Sequence, residues 1–79
     1  GKAGVTTAVV AEVDAVLDLN GKLFPIEFKA SHRLNKHDAR GILAFRNTYA
    51  NAVPGVIIYG GNEPYRLTEH AMAIPWKAV

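Results

Sequence analysis

Three residues carry most of the chemistry that this sequence can offer: Asp14, Glu27 and Lys29. They lie in the stretch EVDAVLDLNGKLFPIEFKAS, Glu12 to Ser31. Two runs rich in apolar residues flank Asn20-Gly21, the strongest short signal for a hairpin, because a type I′ turn needs positive φ at both central positions. A two-residue turn sets Leu19 opposite Lys22 and fixes every later pair. Asp14 then faces Glu27, and Glu12 faces Lys29. Opposite charges across a ladder contribute a few tenths of a kcal/mol, whereas like charges directly opposite are destabilising. Two opposed carboxylates are tolerated if one is protonated or if a cation lies between them. Mg²⁺ or Mn²⁺ suits that ligand set, with water and a substrate phosphate completing the octahedron. Lys29, two residues beyond Glu27 on the same face, would then orient an attacking water or neutralise charge developing on phosphate. The plain alternative is two acids and a lysine on a solvated sheet face. A bulge at Pro25 would also break the pairing.

The same register sorts the hairpin into two faces. Val13, Ala15, Leu17 and Leu19 share one with Lys22, Phe24, Ile26 and Phe28. This face is nearly all apolar and is expected to be the core side, under a helix. Glu12, Asp14, Val16 and Asp18 share the other with Leu23, Pro25, Glu27 and Lys29.

The elements that must position these groups follow from pattern. Thr6 to Leu19 reads as one strand and Lys22 to Ala30 as its return, with Pro25 demanding an edge position or a local bulge. A helix is expected over about residues 36–50, capped by Asn35 or Ser31, with Asp38 in its first turn. Its stripe is Ala39, Ile42, Leu43, Phe45, Arg46 and Tyr49. PGVIIYGG reads as a central strand buried on both faces and ended by Gly60-Gly61. YRLT and HAMAIPW read as short terminal strands. The order β-β-α-β-β gives a small mixed sheet with one crossover helix, an α/β (α+β) fold. The strands on either side of the helix are expected to run parallel.

Composition bounds the function. The chain has 79 residues, 49% of them hydrophobic, and a net charge of +2. That is one domain, expected to be an excised C-terminal piece of a larger protein. No cysteine is present, so neither disulfides nor thiolate metal sites arise. No apolar run reaches membrane-spanning length, and a cytoplasmic setting with no membrane partner is expected. The net charge alone is too small to argue nucleic-acid binding.

His32, His37 and His70 lack metal-ligand spacing. Arg33, Lys36, His37 and Arg40 gather positive charge near the helix start, either a phosphate-contacting patch or a solvated face, the latter favoured. Trp76 is expected to anchor the last segment on the core or on a partner. Tyr49, Tyr59 and Tyr65 read as core rim.

The spacing Asp14–x12–Glu27–x–Lys29 across a hairpin resembles the core motif of the PD-(D/E)xK, or restriction-endonuclease-like, superfamily. That resemblance implies Mg²⁺ or Mn²⁺ on Asp14 and Glu27, and Lys29 assisting phosphodiester hydrolysis. Nearly the whole chain, from Ala11 to Val79, is similar to the C-terminal domain of uncharacterised prokaryotic AAA-type ATPases. The E-V-D strand, the I-E-F-K-A-S strand, the helix with RGILAFRNTY, the YGG strand and the L-T…A-I-P ending carry the likeness. Phe28 stands where Val is commoner. The family resemblance places an ATPase module upstream. This chain has no phosphate-loop signature and no ATP site of its own. The nuclease superfamily usually adds an acid from a preceding helix, which this sequence lacks.

Two functions follow from different classes. One is a metal-dependent nuclease-like domain acting on DNA or RNA. The other is a non-catalytic accessory domain of the ATPase that binds a protein partner or nucleic acid. An uncovered sheet face would also favour a homo-oligomer at high concentration.

Overall fold

The computed structural model describes the backbone of Gly4–Thr7 and residues 13–79. Six strands among the described residues form one mixed sheet: β1 (Gly4–Thr7), β2 (Ala15–Leu19), β3 (Lys22–Lys29), β4 (Gly55–Tyr59), β5 (Tyr65–Thr68) and β6 (Ala71–Pro75). Their spatial order is β1-β2-β3-β4-β6-β5. Among the described residues a single α-helix, α1 (Arg40–Thr48), crosses from β3 to β4, which pair in parallel as expected. β6 also runs parallel to β4, so three strands point the same way at the centre of the sheet. Among the described residues, no helix is long and apolar enough to cross a membrane.

The hairpin register holds as the turn chemistry dictates. Asn20 and Gly21 both take positive φ, 54° and 85°. Asp18 accepts the Gly21 N–H at 2.9 Å and closes the turn. The ladder then runs from Leu19↔Lys22 through Val16↔Pro25 to Ala15↔Ile26 without a slip. Thr6 to Leu19, however, is not one strand. Gly4–Thr7 forms β1 and pairs antiparallel with β2. Glu12 and its expected pairing with Lys29 lie outside the described residues.

Pro25 sits in an interior strand, between β2 and β4, rather than at an edge. The missing donor is accommodated on the β4 side. Leu23 pairs with Ala52, but Ile26 pairs with Val56, so the parallel register moves by one residue beside the proline. Gly55 fills that irregularity. A Cβ there would meet the Pro25 carbonyl oxygen and would lie 2.7 Å from its Cγ.

The helix begins one turn earlier as a 3₁₀ segment, Lys36–Ala39. The Asp38 carboxylate accepts the Asn35 N–H at 2.8 Å, which secures this first turn. Ile42 and Phe45 are completely buried, and the Phe45 ring packs on Tyr49 at 4.7 Å. Leu43, expected in the stripe, points outward at 49% exposure. Ala71 and Ala73 on β6 are fully buried in the same core.

The covered face is the opposite of the one expected. The helix packs on Val16, Ile57, Tyr59, Ala71 and Ala73. Glu27 pairs with Ile57 and Lys29 with Tyr59, so the charged face of the hairpin is the helix side. Ala15, Leu17, Phe24, Ile26, Val56, Ile58, Met72 and Ile74 share the other face and are only half-buried. The strand GVIIY is therefore covered on one side only.

Candidate functional site

Ala15 ends the regular β2 ladder, one residue short of the acids. Asp14 lies on a bend just before it and is exposed. Its backbone N–H donates to the Ile26 carbonyl at 3.1 Å. Its side chain turns onto β3, where Oδ2 accepts the Phe28 N–H at 2.9 Å. The acid thus occupies a ladder position with its carboxylate, which fixes the group beside Glu27 and leaves Oδ1 as its remaining donor atom. Pro25 does not separate the two acids, because the register passes through Val16↔Pro25 intact.

Glu27 is half-buried beneath the start of the helix. Burial pushes its carboxyl above the ordinary carboxylate value, and the neighbouring Asp14 charge pushes it further in the same direction. Lys29, the backbone N–H of Asp14 and the Arg40 guanidinium pull the other way without cancelling the rise. Four charged groups from three elements therefore act on one another: Asp14 before β2, Glu27 and Lys29 on β3, and Arg40 at the first position of α1. Sequence reasoning had placed Arg40 in a general basic patch. Its coupling to Glu27 needed the helix to lie over the charged face.

This arrangement offers two carboxylates, each supplying hard oxygen donors, with cations on one flank. Among the described residues, no group of three or more His, Asp or Glu side chains gathers as a complete metal cage. Two protein oxygen ligands are what Mg²⁺ commonly takes where phosphate and water complete its shell. The donor chemistry therefore fits a divalent cation of that class.

Two shallow grooves flank the site. Lys36, His37, Arg40, Leu43 and Thr68 line one, of about 420 Å³, at the helix start. Phe28, Lys29, Ala30, Ile58 and Trp76 line the other, of about 510 Å³. Trp76 does not anchor the chain end on the core: it is 63% exposed, in a short 3₁₀ turn Trp76–Ala78. Of the tyrosines expected at the core rim, Tyr49 lies there, whereas Tyr59 belongs to the core and Tyr65 is exposed. Tyr59 is buried, its hydroxyl donates to the Glu63 carbonyl at 2.6 Å, and its ring meets Tyr65 edge-on.

No curated protein and no solved structure matches the chain. A family described as a domain of unknown function, DUF4143, matches residues 6–79. That span takes in both acids, Lys29, the crossover helix and the strands around it. The chain belongs to the DUF4143 family of domains.

Proposed function

We propose that Asp14, Glu27 and Lys29 form a divalent-metal phosphodiesterase site in a restriction-endonuclease-like domain that serves an AAA-type ATPase. The observation that carries this reading is the Asp14 carboxylate, fixed on the Phe28 N–H at 2.9 Å, beside Glu27. The Glu27 carboxyl is raised by burial and by Asp14 although Lys29 and Arg40 stand near. A bound cation would relieve two acids held together in this way, as protonation of Glu27 would at lower pH. The hairpin, the crossover helix and the parallel β4 add support, because they follow the order implied by the resemblance.

Asp14 and Glu27 would hold Mg²⁺ or Mn²⁺. A bound ion of this kind supplies Lewis acidity toward phosphate oxygen and lowers the pKa of bound water. The chain's own residues do the rest. The Phe28 N–H fixes the Asp14 carboxylate. The Lys29 ammonium faces the phosphate and offsets the charge that grows on it as water oxygen bonds to phosphorus and the bridging P–O bond breaks. Arg40 holds a second positive charge on the helix side.

Calorimetric titration of Mn²⁺ tests the site. Saturable binding is expected in the parent chain and is expected to be lost in Asp14→Asn. Heat traces that are flat in both proteins would remove the basis for the metal reading.

The second reading, a non-catalytic accessory domain, is favoured by the half-buried apolar face of Phe24, Ile26, Val56, Ile58, Met72 and Ile74. A face of that kind marks an interaction surface. Sedimentation velocity should then show self-association as concentration rises. A monomer at every concentration would count against a second copy as the occupant.

A further inference from the structure

β3, β4 and β6 run parallel, so their carboxyl ends lie along one edge of the sheet. The groove of Phe28, Lys29, Ala30, Ile58 and Trp76 opens there. Ligands of open α/β sheets bind in this region, outside the carboxyl ends of the strands. Two features single the groove out. Its two aromatic rings are unusually open for such residues, Phe28 at 57% and Trp76 at 63% exposure. Its cation, Lys29, ends β3 next to Phe28, rooted on the helix side of the sheet.

Lys29 is the cation in its wall. The segment that follows β3 adds Arg33, Lys36 and Arg40 with His32 and His37, of which Lys36, His37 and Arg40 line the other groove, at the helix start. Asp38 is the segment's single acid, and that carboxylate is engaged by the Asn35 N–H. Lys77 follows Trp76 directly. Exposed aromatic rings with cations beside them are what holds an unpaired strand: bases stack on the rings, and phosphates meet the cations.

We infer that this groove is a nucleobase-stacking subsite that takes single-stranded nucleic acid, with a base against Phe28 and Trp76 and its phosphate at Lys29. The inference deepens the phosphodiesterase reading and rests on it for the purpose of the site. Strand binding itself requires no metal. Duplex bases are already stacked on one another and cannot reach the rings, so the subsite selects unpaired ends, loops or single strands.

The test is fluorescence anisotropy of a labelled ten-nucleotide oligothymidylate at low salt in EDTA, read beside the emission of Trp76, the chain's one tryptophan. Saturable binding with a change in Trp76 emission is expected. A duplex of the same length should compete several-fold less well. Phe28→Ala and Trp76→Ala should each weaken binding by about fivefold or more. Trp76→Phe, which keeps a ring, should retain most of it. Circular dichroism checks that each variant folds. No saturation, equal competition by duplex, or variants that bind like the parent would overturn the inference. So would Trp76 emission that follows protein concentration and ignores the oligonucleotide, because a second copy would then occupy the groove. Because EDTA is present, failure here leaves the Mn²⁺ result standing, and failure of Mn²⁺ binding leaves this one standing.

Discussion

Glu27→Gln is expected to make the metal-free domain more stable at neutral pH while removing its affinity for Mn²⁺. The sign follows from the direction of the shift. The folded state holds the Glu27 proton more tightly than the unfolded chain does, since burial and Asp14 raise its carboxyl above 4.5. Between that value and the raised one, the native state binds more protons than the unfolded state, so stability falls as pH rises. Above the window the full cost of a charged Glu27 is present. Glutamine has nearly the same shape without the charge and avoids the cost. Thermal unfolding in EDTA at pH 7 should therefore show a higher midpoint for the variant. The difference should shrink as pH drops below about 4.5, where parent and variant are both neutral at this position. Mn²⁺ should reverse the ranking. At one hundred times its Kd a ligand adds about 2.7 kcal/mol to the protein that binds it and nothing to one that does not. A parent that outlasts Glu27→Gln in EDTA at pH 7 would mean that Glu27 is a compensated structural charge.

The second large effect concerns the helix. Phe45→Ala should leave much of the population unfolded at room temperature. Phe45 is 1% exposed and packs between Tyr49 and the sheet. Truncating a buried phenylalanine costs about 3–5 kcal/mol. A domain of this size has a total margin of roughly 4–12 kcal/mol, with the smallest domains near the low end. Leu43→Ala, two positions earlier on the open side of the same helix, should cost no more than about 0.5 kcal/mol. Urea titration followed by far-UV circular dichroism separates the two. Equal midpoints would mean that α1 does not seat its Ile42–Phe45 face on the sheet. This matters for the site as well, because α1 carries Arg40 and buries Glu27.

The hairpin register was legible in the sequence because two residues, Asn20 and Gly21, encode it locally. Crossover topology was legible too, since a helix between two strands leaves few options. Which face the helix covers was not. Counting apolar side chains favoured the face of Phe24, Ile26 and Phe28, and GVIIY is apolar on both sides and so gives no vote. The outcome involves residues far apart in sequence: Gly55 against Pro25, and Ile42, Phe45, Ala71 and Ala73 buried in one core. Small residues leave little trace in a hydrophobic pattern. The division between β1 and β2 was hidden for a related reason, since TTAVVAEVDAVLDL contains no glycine, proline or asparagine to mark a break. Of the site, the nearness of Asp14 to Glu27 could be read from spacing, although the ladder itself ends at Ala15↔Ile26, whereas the Arg40 charge and the burial of Glu27 depended on the side the helix took.

β4 has one further consequence. Both of its neighbours are parallel strands, so neither reaches it through a tight turn. Its partner residues in β3 lie some thirty positions earlier in the chain, across the helix, as in Ile26↔Val56. GVIIY is also a run of high β-propensity without a charge, the composition that stacks into cross-β assemblies when left bare. During folding this segment waits for distant partners and is covered late. The middle of the sheet is thus both the most cohesive place in the finished domain and its chief aggregation hazard before completion, and chain recovery after dilution from denaturant is governed by how quickly β3 and β6 close over it.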